Sequence, residues 1–316
     1  VNATRRDPRA PDPAAATPVH RRAALASAEA RLRAAGLAAD AARLEAEVLL
    51  RHAAGLSREE LFLRPEAPID DAAARAYAAL VAQRAAGRPT AYLVGRREFF
   101  GIDFSVDPRV LIPRPETERL VEVVYEALRR RPAPIAADIG TGSGAIAVAL
   151  ARQLPALRVI ATDTSAGALE VARRNAARAG VAERIAWAEG PGTGPLEGRV
   201  SRGRLDAVVS NPPYIPTGEI AALPVEIRAH EPAAALDGGP DGLVVHRQIV
   251  NGAACFLRPG GLLALEVAAP GTQARAVCAL IRATGRYEAP SIVADYAGAE
   301  RVVLAVRGRD DADSRR

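Results

Sequence analysis

The chain contains no lysine: all 42 residues of the Lys and Arg count are arginine. With its abundance of alanine, this marks GC-rich codon usage and carries no function of its own. The net charge of +5 mildly favours a nucleic-acid or ribonucleoprotein-associated partner, although a solvated arginine surface accounts for it as well. Cysteine is nearly absent. Cys255 and Cys278 fall in helical-looking sequence without metal-ligand spacing and read as two reduced, buried thiols. The four histidines, His20, His52, His230 and His246, form no pair at zinc-site spacing, so no metal is expected. Aromatic residues make up only 4% of the chain, too few for the stacking surface of a nucleic-acid groove, and no direct nucleic-acid contact is expected. No apolar run approaches the roughly 18 to 20 residues that span a bilayer. The first residues, with Arg5, Arg6, Asp7, Arg9 and Asp12, lack the apolar stretch of a signal peptide. A cytoplasmic protein without membrane contact is expected.

What is present is a chain of 316 residues, 49% hydrophobic and 25% charged, enough for about two domains. Residues 1–18 are rich in Pro, Ala and Arg and read as a disordered tail, as do residues 308–316. Over 19–88 apolar residues recur at helical spacing: Leu25, Ala28, Leu32 and Ala35, then Leu44, Val48 and Leu49, then Leu56, Leu61 and Leu63, then Tyr77, Leu80 and Val81. Gly36, Gly55 and the prolines at 65 and 68 divide them into about four helices of a small domain, with substrate docking as a plausible role. Residues 89–115 read as a β-hairpin connector with strand-like stretches at 92–95, 98–101 and 104–106. A helix is expected over 116–130.

From there to 307 strands and helices alternate. The strands fall at 135–139, 158–162, 205–210, 261–267, 291–294 and 301–306, and the helices at 145–154, 166–179, 243–256 and 272–284. This pattern specifies a mostly parallel sheet covered by helices, an α/β Rossmann-like domain. Ligands of such sheets bind outside the carboxyl ends of the strands, where strand order reverses.

Three motifs fall at those ends. Asp138-Ile139-Gly140-Thr141-Gly142-Ser143-Gly144 turns from a strand into a helix, its glycines allowing close approach to a ligand. The Gly-x-Gly-x-Gly spacing departs from the dinucleotide fingerprint, and Asp138 suits a cofactor's amino group better than a pyrophosphate. S-adenosylmethionine is the favoured ligand; a dinucleotide or a structural turn remains open. Asp163, at the end of the next strand, can accept both hydroxyl hydrogens of a ribose. Asn211-Pro212-Pro213-Tyr214 follows the strand 205–210. Its prolines fix φ and remove amide donors. The Asn211 side-chain oxygen and the Pro212 carbonyl can then accept both hydrogens of a planar –NH2 group, against which Tyr214 can stack. The chemistry expected is in-line methyl transfer to nitrogen, driven by positioning.

With these residues in view, the chain resembles the HemK-type release-factor glutamine methyltransferases over about residues 25–306. The resemblance rests on Glu45-Ala46-Glu47-Val48-Leu49-Leu50, Glu98-Phe99-Phe100-Gly101, Leu111-Ile112-Pro113-Arg114-Pro115-Glu116-Thr117-Glu118, the glycine loop, Ser210-Asn211-Pro212-Pro213-Tyr214-Ile215 and His230-Glu231-Pro232. The 112–118 segment discriminates best, because nucleic-acid amino-methyltransferases that share the Asn-Pro-Pro-Tyr element generally lack it. The resemblance implies a methyl transfer from S-adenosylmethionine to the side-chain nitrogen of glutamine in the Gly-Gly-Gln motif of class 1 peptide release factors. It implies cofactor contacts at Gly140, Thr141, Gly142, Ser143, Gly144, Asp163 and Asn211. It implies substrate contacts at Asn211, Pro212, Pro213 and Tyr214, with Asn211, Pro212 and Tyr214 catalytic. Arg114 and Glu231 are candidates for the mouth of the site. One departure is that Pro191 and Gly192 stand where the family has an acidic residue followed by an aromatic or apolar one, so no adenine contact carries over. The alternatives are methylation of a ribosomal-protein glutamine, an RNA or DNA amino-methyltransferase, or a non-catalytic cofactor-binding protein.

Overall fold

The computed structural model describes residues 19–269 and 271–309. Packing divides the chain between Val94 and Gly95 into two units, each with its own core.

The first unit is helical: α1 (Arg21–Ala34), α2 (Ala39–Ala54), α3 (Arg58–Leu63), α4 (Asp71–Ala85) and α5 (Thr90–Val94). Helical spacing sets its core, with Ala24, Ala28 and Leu32 on α1, Ala42, Ala46, Leu49 and Leu50 on α2, and Tyr77 and Val81 on α4. Each buried leucine stabilises by roughly 1.5–3 kcal/mol. Leu44, expected in this core, is 58% exposed. Side chains set the helix starts: Ser57 and Glu60 form a reciprocal capping box on α3, and Asp70 accepts from the Ala73 amide at 2.8 Å on α4. Gly55, at φ 62, closes α2. Glu45 accepts from the Arg84 guanidinium and, at 2.6 Å, from the Thr90 hydroxyl. The strand expected at 92–95 is corrected to α5. The Pro89 carbonyl accepts from the amides of Tyr92 and Leu93, and Tyr92 is buried, so a started turn and its packing outweigh the β-propensity of Tyr-Leu-Val.

In the second unit, β1 (Arg96–Phe99) and β2 (Ile102–Ser105) form the expected antiparallel hairpin. A 3₁₀ turn over Pro115–Thr117 leads into α6 (Glu118–Leu128). Then follow β3 (Ile135–Ile139), α7 (Ala145–Gln153), β4 (Arg158–Asp163), α8 (Ala166–Arg178), β5 (Ile185–Glu189), β6 (Leu205–Ser210), α9 (Val225–Arg228), α10 (Val244–Phe256), β7 (Leu257–Glu266), α11 (Gln273–Ala283), β8 (Ser291–Ala294) and β9 (Glu300–Val306). The sheet order is β5-β4-β3-β6-β7-β9-β8. The first five strands run parallel, while β9 pairs antiparallel with β7 and β8. β5 is absent from the strands expected above, because Ile-Ala-Trp-Ala-Glu alternates weakly and owes its state to pairing with β4. Strand order reverses between β3 and β6, which opens the crevice there.

The expected tail over 1–18 lies outside the described residues, as do residues 310–316 of the other. Gly308, placed in that second tail, instead donates to the Arg286 carbonyl at 3.0 Å. Among the described residues no helix is long and apolar enough to cross a membrane.

Candidate active site

The loop after β3 is held from below by a buried carboxylate. Asp138 is fully buried; its Oδ2 accepts from the Thr141 hydroxyl at 2.6 Å and the Ala147 amide at 3.2 Å. Its Oδ1 is buried without a hydrogen-bond partner. Burial pushes this carboxyl up to about 7, against the pull of those two donors. Gly140 and Gly142 take φ 72 and 56, and open space lies where a Cβ would stand, so the backbone can meet a ligand directly. Asn175, on α8, ties the loop to the hairpin, donating to the carbonyls of Ser143 at 2.9 Å and Ser105 at 3.0 Å.

Asp163 ends β4 beside that loop. One oxygen accepts from the Gly142 amide and the other from the Ser165 amide, each at 2.9 Å. Burial pushes its pKa above the ordinary carboxylate value, and the amides oppose the rise. Each oxygen keeps a lone pair for a further donor.

Beyond β6 the chain enters the proline motif. Ser210 donates to the Ile139 carbonyl at 2.6 Å, locking β6 to β3. The Asn211 Nδ2 donates to the Thr117 hydroxyl oxygen at 3.1 Å, which leaves its Oδ1 as an acceptor. Thr117 is buried at the end of the 3₁₀ turn. Ser210 pairs with Leu265, which brings Asn211, the residue after β6, alongside Glu266, the last residue of β7. Glu266 is buried; neither of its oxygens has a hydrogen-bond partner of ordinary geometry. Burial pushes it up to about 7, partly offset by the nearby Thr117 hydroxyl and Arg301. The same burial pushes the Tyr214 phenol up to about 12. Arg114 pairs with Glu231 at 2.6 Å, tying the 112–118 segment to the loop before the 3₁₀ turn at 233–235.

A cavity of about 270 Å³ runs across these strand ends. Ile139, Gly140 and Gly142 line its middle, Asp163 and Thr164 follow, and Asn211, Pro212 and Pro213 close one end. Gly190, Pro191 and Gly192, with Val245 and Gln248 of α10, close the other. From β6 through β3 and β4 to β5 is three strand spacings, about 14 Å. Gly140, Gly142, Asp163, Asn211, Pro212 and Pro213 thus come together as expected from the sequence. Thr141, Ser143, Gly144, Tyr214, Arg114 and Glu231 are outside the lining. Thr141 braces Asp138, Gly144 caps α7 at φ 82, and the Tyr214 carbonyl accepts from Gln273 at 2.9 Å. The sequence alone points to no role for Thr117 and Glu266, nor for Arg109 and Gln248, which line the cavity. The position of Thr117 inside the discriminating 112–118 segment was the one available signal.

The residues fit S-adenosylmethionine at two points: a glycine loop that brings backbone to the ligand beside an unpartnered buried carboxylate oxygen, and a carboxylate for ribose hydroxyls. At the β5 end, residues 190–192 offer no side-chain carboxylate for an amine.

Comparison with known proteins agrees with this architecture. A family model described as the PrmC N-terminal domain matches residues 23–95. One described as the methyltransferase small domain matches residues 117–230. The release factor glutamine methyltransferase of Moorella thermoacetica is 49% identical over 79% of this chain and 86% of its own length. That of Burkholderia pseudomallei is 45% identical over 78% and 85%. Among solved structures, the hMettl16 catalytic domain in complex with MAT2A 3'UTR hairpin 6 matches with a TM-score of 0.54 at 18% identity, covering 73% of this chain and 83% of that one. That likeness is one of fold.

Proposed function

The chain belongs to the release factor glutamine methyltransferase family, and from that premise we propose that it transfers a methyl group from S-adenosylmethionine to the side-chain nitrogen of the glutamine in the Gly-Gly-Gln motif of class 1 release factors, at the Asn211 end of the cavity. The observation that carries the site assignment is the Asn211 amide, whose Nδ2 is engaged by Thr117 and whose Oδ1 is left to accept.

Bound S-adenosylmethionine supplies an electrophilic methyl group on sulfur. The rest falls to the chain. Asn211 Oδ1 and the Pro212 carbonyl accept the two N–H bonds of the substrate amide, holding its plane fixed and its nitrogen towards the cavity. Both acceptors stabilise the positive charge that grows on nitrogen during transfer. The methyl group's bond to sulfur is exchanged for one to nitrogen; the methylated amide then gives one proton to solvent and leaves as a neutral secondary amide. Tyr214, outside the cavity lining, offers a face for the incoming glutamine. Gly140, Thr141, Gly142, Ser143 and Gly144 shape the cofactor seat, and Asp163 takes the ribose hydroxyls. This leaves the β5 end for adenine.

The helical unit is assigned to docking of the protein substrate. Support comes from its exposed apolar side chains, Leu44, Phe62 and Leu63, which are 58%, 62% and 80% accessible. A release factor is a translation protein, so we assign the enzyme to the cytoplasm.

The test is incubation with methyl-labelled S-adenosylmethionine and, in parallel, a class 1 release factor, ribosomal proteins, RNA and DNA, followed by mapping of the label by mass spectrometry. The expected label is on the Gly-Gly-Gln glutamine nitrogen. Label on a nucleobase or a ribosomal-protein glutamine, with none on the release factor, overturns the proposal.

A further inference from the structure

The 112–118 segment marks the family, and its Thr117 hydroxyl could hold the Asn211 amide either way round, because a hydroxyl both donates and accepts. Its Thr117 side chain reaches back to the proline motif, 94 residues away in sequence, and meets Asn211 Nδ2 at 3.1 Å. Glu266 ends the neighbouring strand, buried, with the Thr117 hydroxyl near enough to pull its carboxyl down and no other side-chain donor bonded to either oxygen. The cations near it are engaged elsewhere: Arg301 with Asp295 at 3.1 Å and Arg114 with Glu231 at 2.6 Å. A buried carboxylate in this position turns any adjacent hydroxyl into a donor towards itself.

We propose that Glu266 and Thr117 form a positioning relay that fixes which way round the Asn211 amide stands, and so makes Asn211 an acceptor for the substrate amide. The direction follows from donor counting. Ionised Glu266 can only accept, so the Thr117 hydroxyl hydrogen points to it. The Thr117 oxygen is then free to accept from Asn211 Nδ2, and Asn211 Oδ1 faces the substrate. Protonated Glu266 can donate instead. The Thr117 hydrogen then turns to Asn211 and is satisfied by Oδ1, so the amide rotates and presents –NH2 to the substrate –NH2. Two donors face each other, and the glutamine is no longer held. The relay rests on the reading of Asn211 as the substrate acceptor.

The charged and titratable groups that face Glu266 are Arg301 from β9, Glu116 and Arg114 from the segment before α6, and Tyr214 after β6. His246 on α10 bonds the Glu266 backbone carbonyl at 3.0 Å. Burial outweighs the two arginines and holds the carboxyl up at about 7. The relay is therefore set at higher pH and lost as the pH falls through that value.

The test uses the full-length protein with a release factor as substrate, measuring kcat, KM, pH profile and affinity for S-adenosylhomocysteine. Thr117→Val removes the hydroxyl at constant shape. It is expected to lower kcat by about tenfold or more, the cost of one buried hydrogen bond left unmade, with cofactor-product affinity within about twofold of wild type. Thr117→Ser is expected to restore the rate. Glu266→Gln keeps an acceptor for Thr117 but cannot ionise, so it is expected to lose the acid limb of the kcat profile. A Thr117→Val enzyme with wild-type kcat, or a Glu266→Gln enzyme that keeps the acid limb, overturns the relay. If Thr117→Val fails to fold, the Glu266→Gln profile decides alone. A wild-type enzyme that leaves the release-factor glutamine unmethylated overturns the functional reading, and the relay with it; an active wild type with indifferent variants overturns the relay only.

Discussion

The two ends of the cavity are built in opposite ways. At the β6 end, Ser210 donates to the Ile139 carbonyl at 2.6 Å and Asn211 to the Thr117 hydroxyl oxygen at 3.1 Å, with a buried carboxylate on β7 behind them. At the β5 end, residues 190–192 present glycine and proline backbone, with Val245 and Gln248 of α10 across from them. The contrast matches the work proposed for each end. Where a bond forms, an acceptor misplaced by about 1 Å costs about a hundredfold in rate. An end proposed only to hold a purine can rely on shape and backbone, because uniform binding energy does not raise kcat.

Four perturbations break or sharpen that contrast. Asn211→Ala should lower kcat by about 10²–10³-fold, the scale of losing one preorganised transition-state contact, while S-adenosylhomocysteine affinity by calorimetry stays within about threefold. Asp163→Ala should do the reverse. Loss of the ribose acceptor and of the Gly142 tie should weaken that affinity by about 10–100-fold, or roughly 1.4–2.7 kcal/mol.

Asp138→Asn probes the bracing between the two ends. Its carboxyl is raised from 3.8 to about 7, so the folded state holds its proton more tightly than the unfolded state. The stability cost of Asp138 is absent below pH 3.8, grows as pH rises towards about 7, and is constant above. Asparagine removes it. The variant should be more stable than wild type by about 1–3 kcal/mol at pH 8 and gain little at pH 4, which urea melts at the two values will read. Equal gains at both would show that the buried charge is not the cause.

The smallest effect belongs to the β5 end. Pro191→Asp places a carboxylate where an adenine amine could donate, and should tighten S-adenosylhomocysteine binding by about threefold, part of the worth of one charge-assisted bond at a solvated rim. Unchanged or weaker binding would remove adenine from that end.

Residues with special backbone demands were readable from sequence. The Gly-x-Gly-x-Gly loop and the proline motif advertise themselves because glycine takes the left-handed conformations of 140 and 142 without strain, and only proline strips donors at 212 and 213. The alternating pattern after residue 135 likewise specified the parallel sheet. What escaped depends on partners distant in sequence. β5 is a strand because β4 pairs with it, and 90–94 is a helix because Pro89 starts a turn and Tyr92 is buried. Thr117 stood inside a recognised segment, but nothing local tells that its hydroxyl meets Asn211. Glu266 reads as one polar residue near the end of the strand expected at 261–267; only the fold reveals it as a buried carboxylate beside Thr117.

The division of labour between the two ends is tested most directly by single-turnover methyl transfer to a release factor, with Asn211→Ala and Asp163→Ala compared at S-adenosylmethionine concentrations far above the weakened Kd. The expected result is that Asp163→Ala recovers most of the wild-type rate at saturation while Asn211→Ala recovers almost none. If saturating cofactor restores Asn211→Ala, or leaves both variants equally slow, the assignment of chemistry to the β6 end is contradicted.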